Sequence, residues 1–115
     1  MAKRSIPTGL LREYVRRHNQ GIRSNNFLSL LELFGRDATL VFKGRSNLTL
    51  AGKEAIAGAF HRIPPTTEIV LLEVAEDDQG MSAGYKWDDD PNRQAGILTI
   101  TVKDGKIDSM VITTE

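Results

Sequence analysis

The chain has 115 residues, fifteen Lys and Arg against fifteen Asp and Glu, and no cysteine. This length corresponds to one domain able to bury about two-thirds of its unfolded surface, so neither a metal nor a disulfide is needed for folding. The charge balance excludes a dedicated phosphate-backbone binder, and the lack of Cys excludes disulfides, thiolate nucleophiles and Cys-based metal sites.

Met1-Ala2-Lys3-Arg4 runs into Ser5-Ile6-Pro7 and not into a continuous apolar segment, so no leader is expected. Apolar runs such as Ile69-Val70-Leu71-Leu72 fall far short of the ~20 residues that cross a membrane. The expectation is a cytoplasmic protein forming one domain over residues 1–115, with neither nucleic acid nor membrane as partner.

The first predicted helix runs from about Thr8 to Gly21. Leu10, Leu11, Tyr14, Val15 and His18 share one side, Arg12, Glu13, Arg16 and Arg17 take the other, and Gly21 has the chemistry of a left-handed stop. Asn25 or Asn26 can cap a second helix with the body Phe27, Leu28, Leu30, Leu31, Leu33 and Phe34, apolar on more than one side. Gly35 and Asp37 then lead into a first strand, Ala38 to Phe42, which must fold back over that helix. A loop over 43–47 and a short strand from Leu48 to Leu50 follow. A third helix covers Lys53 to Arg62 and is stopped by Pro64-Pro65.

From there the apolar period becomes two. Thr66–Glu76, Met81–Asp88, Gln94–Lys103 and Lys106–Thr114 read as four strands, the last two joined by Asp104-Gly105, a pair suited to a type I′ hairpin. Helices first and a hairpin-linked meander afterwards make the class α+β. Strands apolar on both faces, Ile69/Leu71 against Val70/Leu72 and Ile97 against Leu98/Ile100, suggest that the face carrying Ile97, Thr99 and Thr101 meets a second copy of the chain; scattered surface apolar residues are the alternative.

Four segments occur in a characteristic order: Tyr14-Val15 with Asn19-Gln20-Gly21; Leu30-Leu31-Glu32-Leu33-Phe34 running into Asp37-Ala38-Thr39-Leu40; Gly52-Lys53-Glu54-Ala55-Ile56; and Asp104-Gly105-Lys106-Ile107. The set spans almost the whole chain and resembles the nuclear transport factor 2-like (NTF2-like) superfamily, in particular its SnoaL-like and ketosteroid-isomerase-like branch. The resemblance implies a cone-shaped, cystatin-like α+β fold: three N-terminal helices packed in a strongly bent antiparallel sheet, with an apolar pocket between the first helix and the sheet. Ketosteroid isomerases of this kind use a carboxylate base, and a tyrosine plus a protonated aspartate as oxyanion hole. Tyr14 stands where the family's tyrosine stands, but the base position falls on Phe42 and the oxyanion aspartate position on about Leu98. With both carboxylates replaced by apolar side chains, ketosteroid isomerase activity is not expected.

Tyr14 and His18, four residues apart on the apolar side of a helix, are neighbours, and a neutral imidazole beside a phenol can act as a general base with a hydrogen-bond donor. The competing reading is a satisfied core or rim histidine. Trp87 and Tyr85 share the more apolar side of their strand with Met81 and Ala83, so Trp87 with Phe42 and Leu98 forms either a pocket wall or plain core. Asp88-Asp89-Asp90-Pro91-Asn92 lacks the Gly and closing Glu of a calcium loop and reads as a solvated turn. Two His and no Cys make a protein-supplied metal site improbable, and no cofactor is expected.

These readings support a domain that binds a hydrophobic small molecule in an apolar pocket lined by Tyr14, His18, Phe42, Trp87 and Leu98. The first alternative is a SnoaL-like isomerase or cyclase acting on a hydrophobic carbonyl compound, with His18 as acid/base and Tyr14 as donor. The second is a homodimeric interaction module working through its outer sheet face.

Overall fold

The computed structural model describes residues 9–44 and 47–114. The expected helix start at Thr8, Arg45-Ser46 of the 43–47 loop and the leader reading at Met1–Pro7 lie outside them. The elements in order are α1 (Leu10–Ser24), α2 (Leu28–Leu31), β1 (Phe34–Lys43), β2 (Leu48–Ala51), α3 (Lys53–Arg62), β3 (Ile69–Glu76), β4 (Gly80–Trp87), β5 (Gly96–Lys103) and β6 (Lys106–Thr114).

α1 buries Leu10, Leu11, Tyr14, Val15, His18 and Gly21, the stripe its helical spacing dictates. It passes through Gly21 and stops one turn later at Asn25, which adopts the left-handed conformation (φ 56°, ψ 41°) that Asn tolerates among non-Gly residues. Gly21 serves packing instead of termination: a methyl group there would overlap the ring of Phe27, which lies directly on the helix.

The second helix is much shorter than its apolar body suggests. Asn26 does cap it, accepting the Leu28 N–H on its side-chain oxygen at 2.9 Å, but only one turn forms. Leu33 bonds back to Leu30 in a tight turn, and Leu33 and Phe34 are then drawn into sheet pairing with Ile107. Tertiary pairing wins over helical propensity here, and β1 begins at Phe34, four residues before Ala38. Two helices of several turns thus stand where three were expected.

The six strands lie in the order β2-β1-β6-β5-β4-β3. All neighbours are antiparallel except β1 and β6, which run parallel, so the sheet is mixed and not purely antiparallel. The connectivity is the reason: α3 carries the chain from β2 at one edge to β3 at the other, and the meander then walks back until β6 docks beside β1. Asp104 and Gly105 both have positive φ, 54° and 78°, as a type I′ hairpin requires. Register breaks between Leu71 and Val74, between Thr101 and Val102, and between Phe34 and Thr39 bend the sheet. The helices fill its concave side, where Leu40, Met81, Leu98, Ile100, Ile107 and Met110 form the core with Leu11, Leu30 and Ile56.

Gly21 and Gly58 make opposite predictions. Gly21→Ala forces the Phe27 ring off α1 and lowers stability by about 1–3 kcal/mol. Gly58→Ala, whose new methyl would meet only the flexible end of Arg62 at 3.2 Å, raises it by roughly 0.5–1 kcal/mol. Urea unfolding of both variants beside the parent checks this.

Candidate functional site

The polar groups of the core gather beneath α1. Tyr14 and His18, one turn apart, are both buried, with ring centroids 6.1 Å apart; Tyr14 also meets Phe34 edge-on. Neither is a surface residue, and His18 is only 4% exposed.

The next residue determines how His18 is held. Asn19 donates from its amide nitrogen to the carbonyl of Ile69 and accepts the Ile69 N–H on its side-chain oxygen, both at 2.8 Å. Because that oxygen is thereby identified as an acceptor, His18 Nδ1, 3.0 Å away, must be the donor to it. The neutral imidazole thus carries its proton on Nδ1 and presents an unprotonated Nε2. Burial pulls the His18 pKa below its ordinary value, against the Asn19 hydrogen bond and the charge of Glu68, which favour the cation. Glu68 itself is held outside by Arg23 through paired bonds of 3.0 and 2.7 Å.

Tyr14 makes no hydrogen bond among the described residues. Burial, and secondarily the nearby Tyr85, push its pKa well above the usual phenol range, so it remains an O–H donor. Tyr85 is buried too, and its hydroxyl has no hydrogen-bond partner among the described residues. Sequence reasoning placed Tyr85 on the inward side of β4 without giving it a role; the missed signal was that this side held a second phenol opposite Tyr14.

The remaining sequence-named residues are dispersed along the concave face. Phe42 and Leu98 lie in one cross-strand row, each opposite Ile112 of β6, Leu98 fully buried and Phe42 half-buried. Trp87 lies further along β4, half-buried, paired with Ile69 and packed edge-on against Tyr85 at 5.3 Å. Leu98 pairs with Ala83, four residues before Trp87 on β4. Two open clefts lie on the outer flanks of α2. One, of about 530 Å³, is lined chiefly by Phe27, Leu28, Leu31, Phe60 and His61; the other, of about 340 Å³, is lined by Arg17, Gln20 and Glu32 among others. None of the five sequence-named residues lines either. Among the described residues no three His, Asp or Glu come together as a metal would need, and no helix is long and apolar enough to cross a membrane.

No family model and no curated protein sequence matches the chain. Solved structures do. An NTF2-like protein of unknown function from Cytophaga hutchinsonii superposes with a TM-score of 0.67 at 16% identity, over 99% of this chain and 95% of that one. A candidate SnoaL-like polyketide cyclase from Jannaschia sp. CCS1 gives 0.66 at 17% identity, over 100% and 92%. SalBIII, an epoxide hydrolase/cyclase-like enzyme with a role in pyran ring formation in the polyether salinomycin, gives 0.69 at 20% identity, over 92% and 88%. At these identities the likeness is one of fold.

The buried imidazole makes stability depend on pH. The His18 pKa is depressed in the folded chain, so the unfolded chain takes up its proton first, near 6.5. Stability is therefore full above about pH 6.5 and declines as pH falls below it. Glu13, Glu68 and Asp77, also shifted down, begin to act only as pH nears their unfolded values of 4.5, 4.5 and 3.8. Urea midpoints measured from pH 7.5 to 5.5 should fall for the parent and stay nearly level for His18→Gln.

Proposed function

We infer that this chain, having the fold of NTF2-like and SnoaL-like proteins, binds a small, largely apolar molecule between α1 and the concave face of the sheet. The observation that carries the reading is a group of buried polar side chains, Tyr14, His18 and Tyr85, in which the Tyr85 hydroxyl has no hydrogen-bond partner among the described residues. A buried hydroxyl left unpaired costs roughly 1–3 kcal/mol, and a core built for packing alone has no use for one. A ligand that brings its own polar atoms would satisfy it, while Phe42, Leu98 and Trp87 offer apolar surface along the same face.

A catalytic reading is favoured by one detail, the unprotonated Nε2 of His18 beside a phenol that stays protonated. Those are the parts for proton removal next to a carbonyl, with His18 as base and Tyr14 steadying the developing oxyanion. The solved structures named above include a candidate SnoaL-like polyketide cyclase and a cyclase-like enzyme, which is consistent with such chemistry on a hydrophobic carbonyl compound.

The single tryptophan reports directly on the site, because Trp87 packs on Tyr85. Hydrophobic carbonyl compounds screened by Trp87 fluorescence should yield saturable binders whose affinity drops about tenfold in His18→Ala or Tyr14→Phe. A full screen without a binder would leave the fold as a module without a ligand.

The outer face of the sheet is the proposed homodimer surface. Register aligns Val41, Val111 and Thr99 across three strands with Thr113 and Ile97 beside them and Lys43 at the rim, a patch in which Ile97 is 40% exposed. Sedimentation at micromolar concentration should give a dimer for the parent and a monomer for the Ile97→Lys/Val111→Lys double variant. A monomeric parent would remove this surface from consideration.

A further inference from the structure

Three residues in the last two turns of α1 tie it to the start of β3. Asn19 exchanges two hydrogen bonds with the backbone of Ile69, both at 2.8 Å. Arg23, one turn further along the helix, holds the carboxylate of Glu68 through bonds of 3.0 and 2.7 Å. His18 Nδ1 donates to the same Asn19 oxygen that accepts the Ile69 N–H, so the imidazole supports the attachment from the buried side. β3 is the edge of the sheet, and these ties are made on its open side.

The attachment cannot survive whole if His18 is charged. On its own helix the ring meets the phenol of Tyr14, while Arg23 is turned to Glu68. α2 packs on α1 without a titratable side chain, and Glu32 beyond it faces Arg17. β4 brings Tyr85, which acts on Tyr14, and Asp88 past its end acts on Arg23. The carboxylate whose charge acts on His18 is Glu68, and Arg23 already engages both of its oxygens. An imidazolium here is met only by drawing Glu68 off Arg23, or by carrying the ring out to water together with the adjacent Asn19. Either course gives up one arm of the attachment.

We propose that His18, Asn19 and Arg23 form an acid-released latch: charging His18 frees the end of α1 from the start of β3 while the rest of the sheet stays paired. The released contacts belong to a helix end and an edge strand, the kind of segment that opens before the whole fold does. Ile69 and Leu71 pair with Trp87 and Tyr85, so the opening lies beside those two rings. Burial favours the neutral imidazole while the latch is closed, and the released ring takes up its proton near pH 6.5. The latch is therefore at full strength above that pH and weakens below it. The other arm outlasts it, because Arg23 holds Glu68 below its ordinary value of 4.5.

Native-state hydrogen exchange on the full chain reads the latch directly, since the Ile69 N–H is the donor to Asn19. The Ile69 protection factor should fall about tenfold from pH 7.5 to 5.5, the limit for one proton taken up near pH 6.5. At either pH it should be insensitive to about 1 M urea, whereas that of Met110 in the central strand β6 falls. His18→Gln should lose the acid response. Arg23→Gln, a change at the surface, should lower Ile69 protection at pH 7.5 and shrink the acid response, because Glu68 is then free to meet the imidazolium. If Ile69 follows Met110 in urea, the opening is global unfolding and the proposal fails. An acid response retained in His18→Gln, or an Ile69 protection that Arg23→Gln leaves unchanged, overturns it equally.

Discussion

One amide side chain holds the architecture together. β3 is an edge strand, and an edge leaves backbone N–H and C=O groups without a sheet neighbour. At Ile69 both outward groups are taken by Asn19, whose side chain bonds to them as the backbone of another strand would. That exchange ties the middle of α1 to the start of β3, fixes how the helix lies across the concave face, and orients the imidazole of the preceding residue. A leucine at that position would keep the volume and lose all three effects, because it would leave two buried backbone groups and the Nδ1 proton of His18 unpaired.

The site beneath the helix differs from that of a ketosteroid isomerase in a physically coherent way. The positions at which the resemblance would put carboxyl groups are Phe42 and Leu98, and among the described residues no acid is buried. What remains favours the neutral forms: burial raises both phenols above their ordinary value and pulls the imidazole below its own. Such a set can recognise polarity without confronting charge. The ion pairs are kept outside, with Glu13 between Arg16 and Arg17, and Glu68 against Arg23.

The parts of this fold that local chemistry decides were legible in the sequence. α3 and β6 fall on the predicted residues, because Pro64-Pro65 and Asp104-Gly105 punctuate the chain unambiguously. The stripe Leu10, Leu11, Tyr14, Val15, His18 was equally plain from its spacing. The misreadings arose where a distant partner decided. Gly21 looked like a helix stop, but its purpose is the Phe27 ring that folds back on it. The run Phe27–Phe34 looked helical, but Ile107, far along the chain, draws its end into a sheet. Tyr14 and His18 were recognisable as neighbours from a spacing of four. The arrival of Tyr85 opposite them depends on β4 register and on the Asn19 clamp, which no local pattern encodes.

The parallel pairing of β1 with β6 also shapes how the protein can be made. β6 lies between β1 and β5, so the centre of the sheet is its last-synthesised strand. While the ribosome is still producing Lys106–Thr114, β1 and β5 each present an unpaired edge, and the helices have only a divided surface to pack upon. Contacts that span most of the chain form slowly, and a nascent chain with open strand edges is exposed to aggregation in the meantime. The centre of the sheet is complete only once that nine-residue strand has joined both of its neighbours.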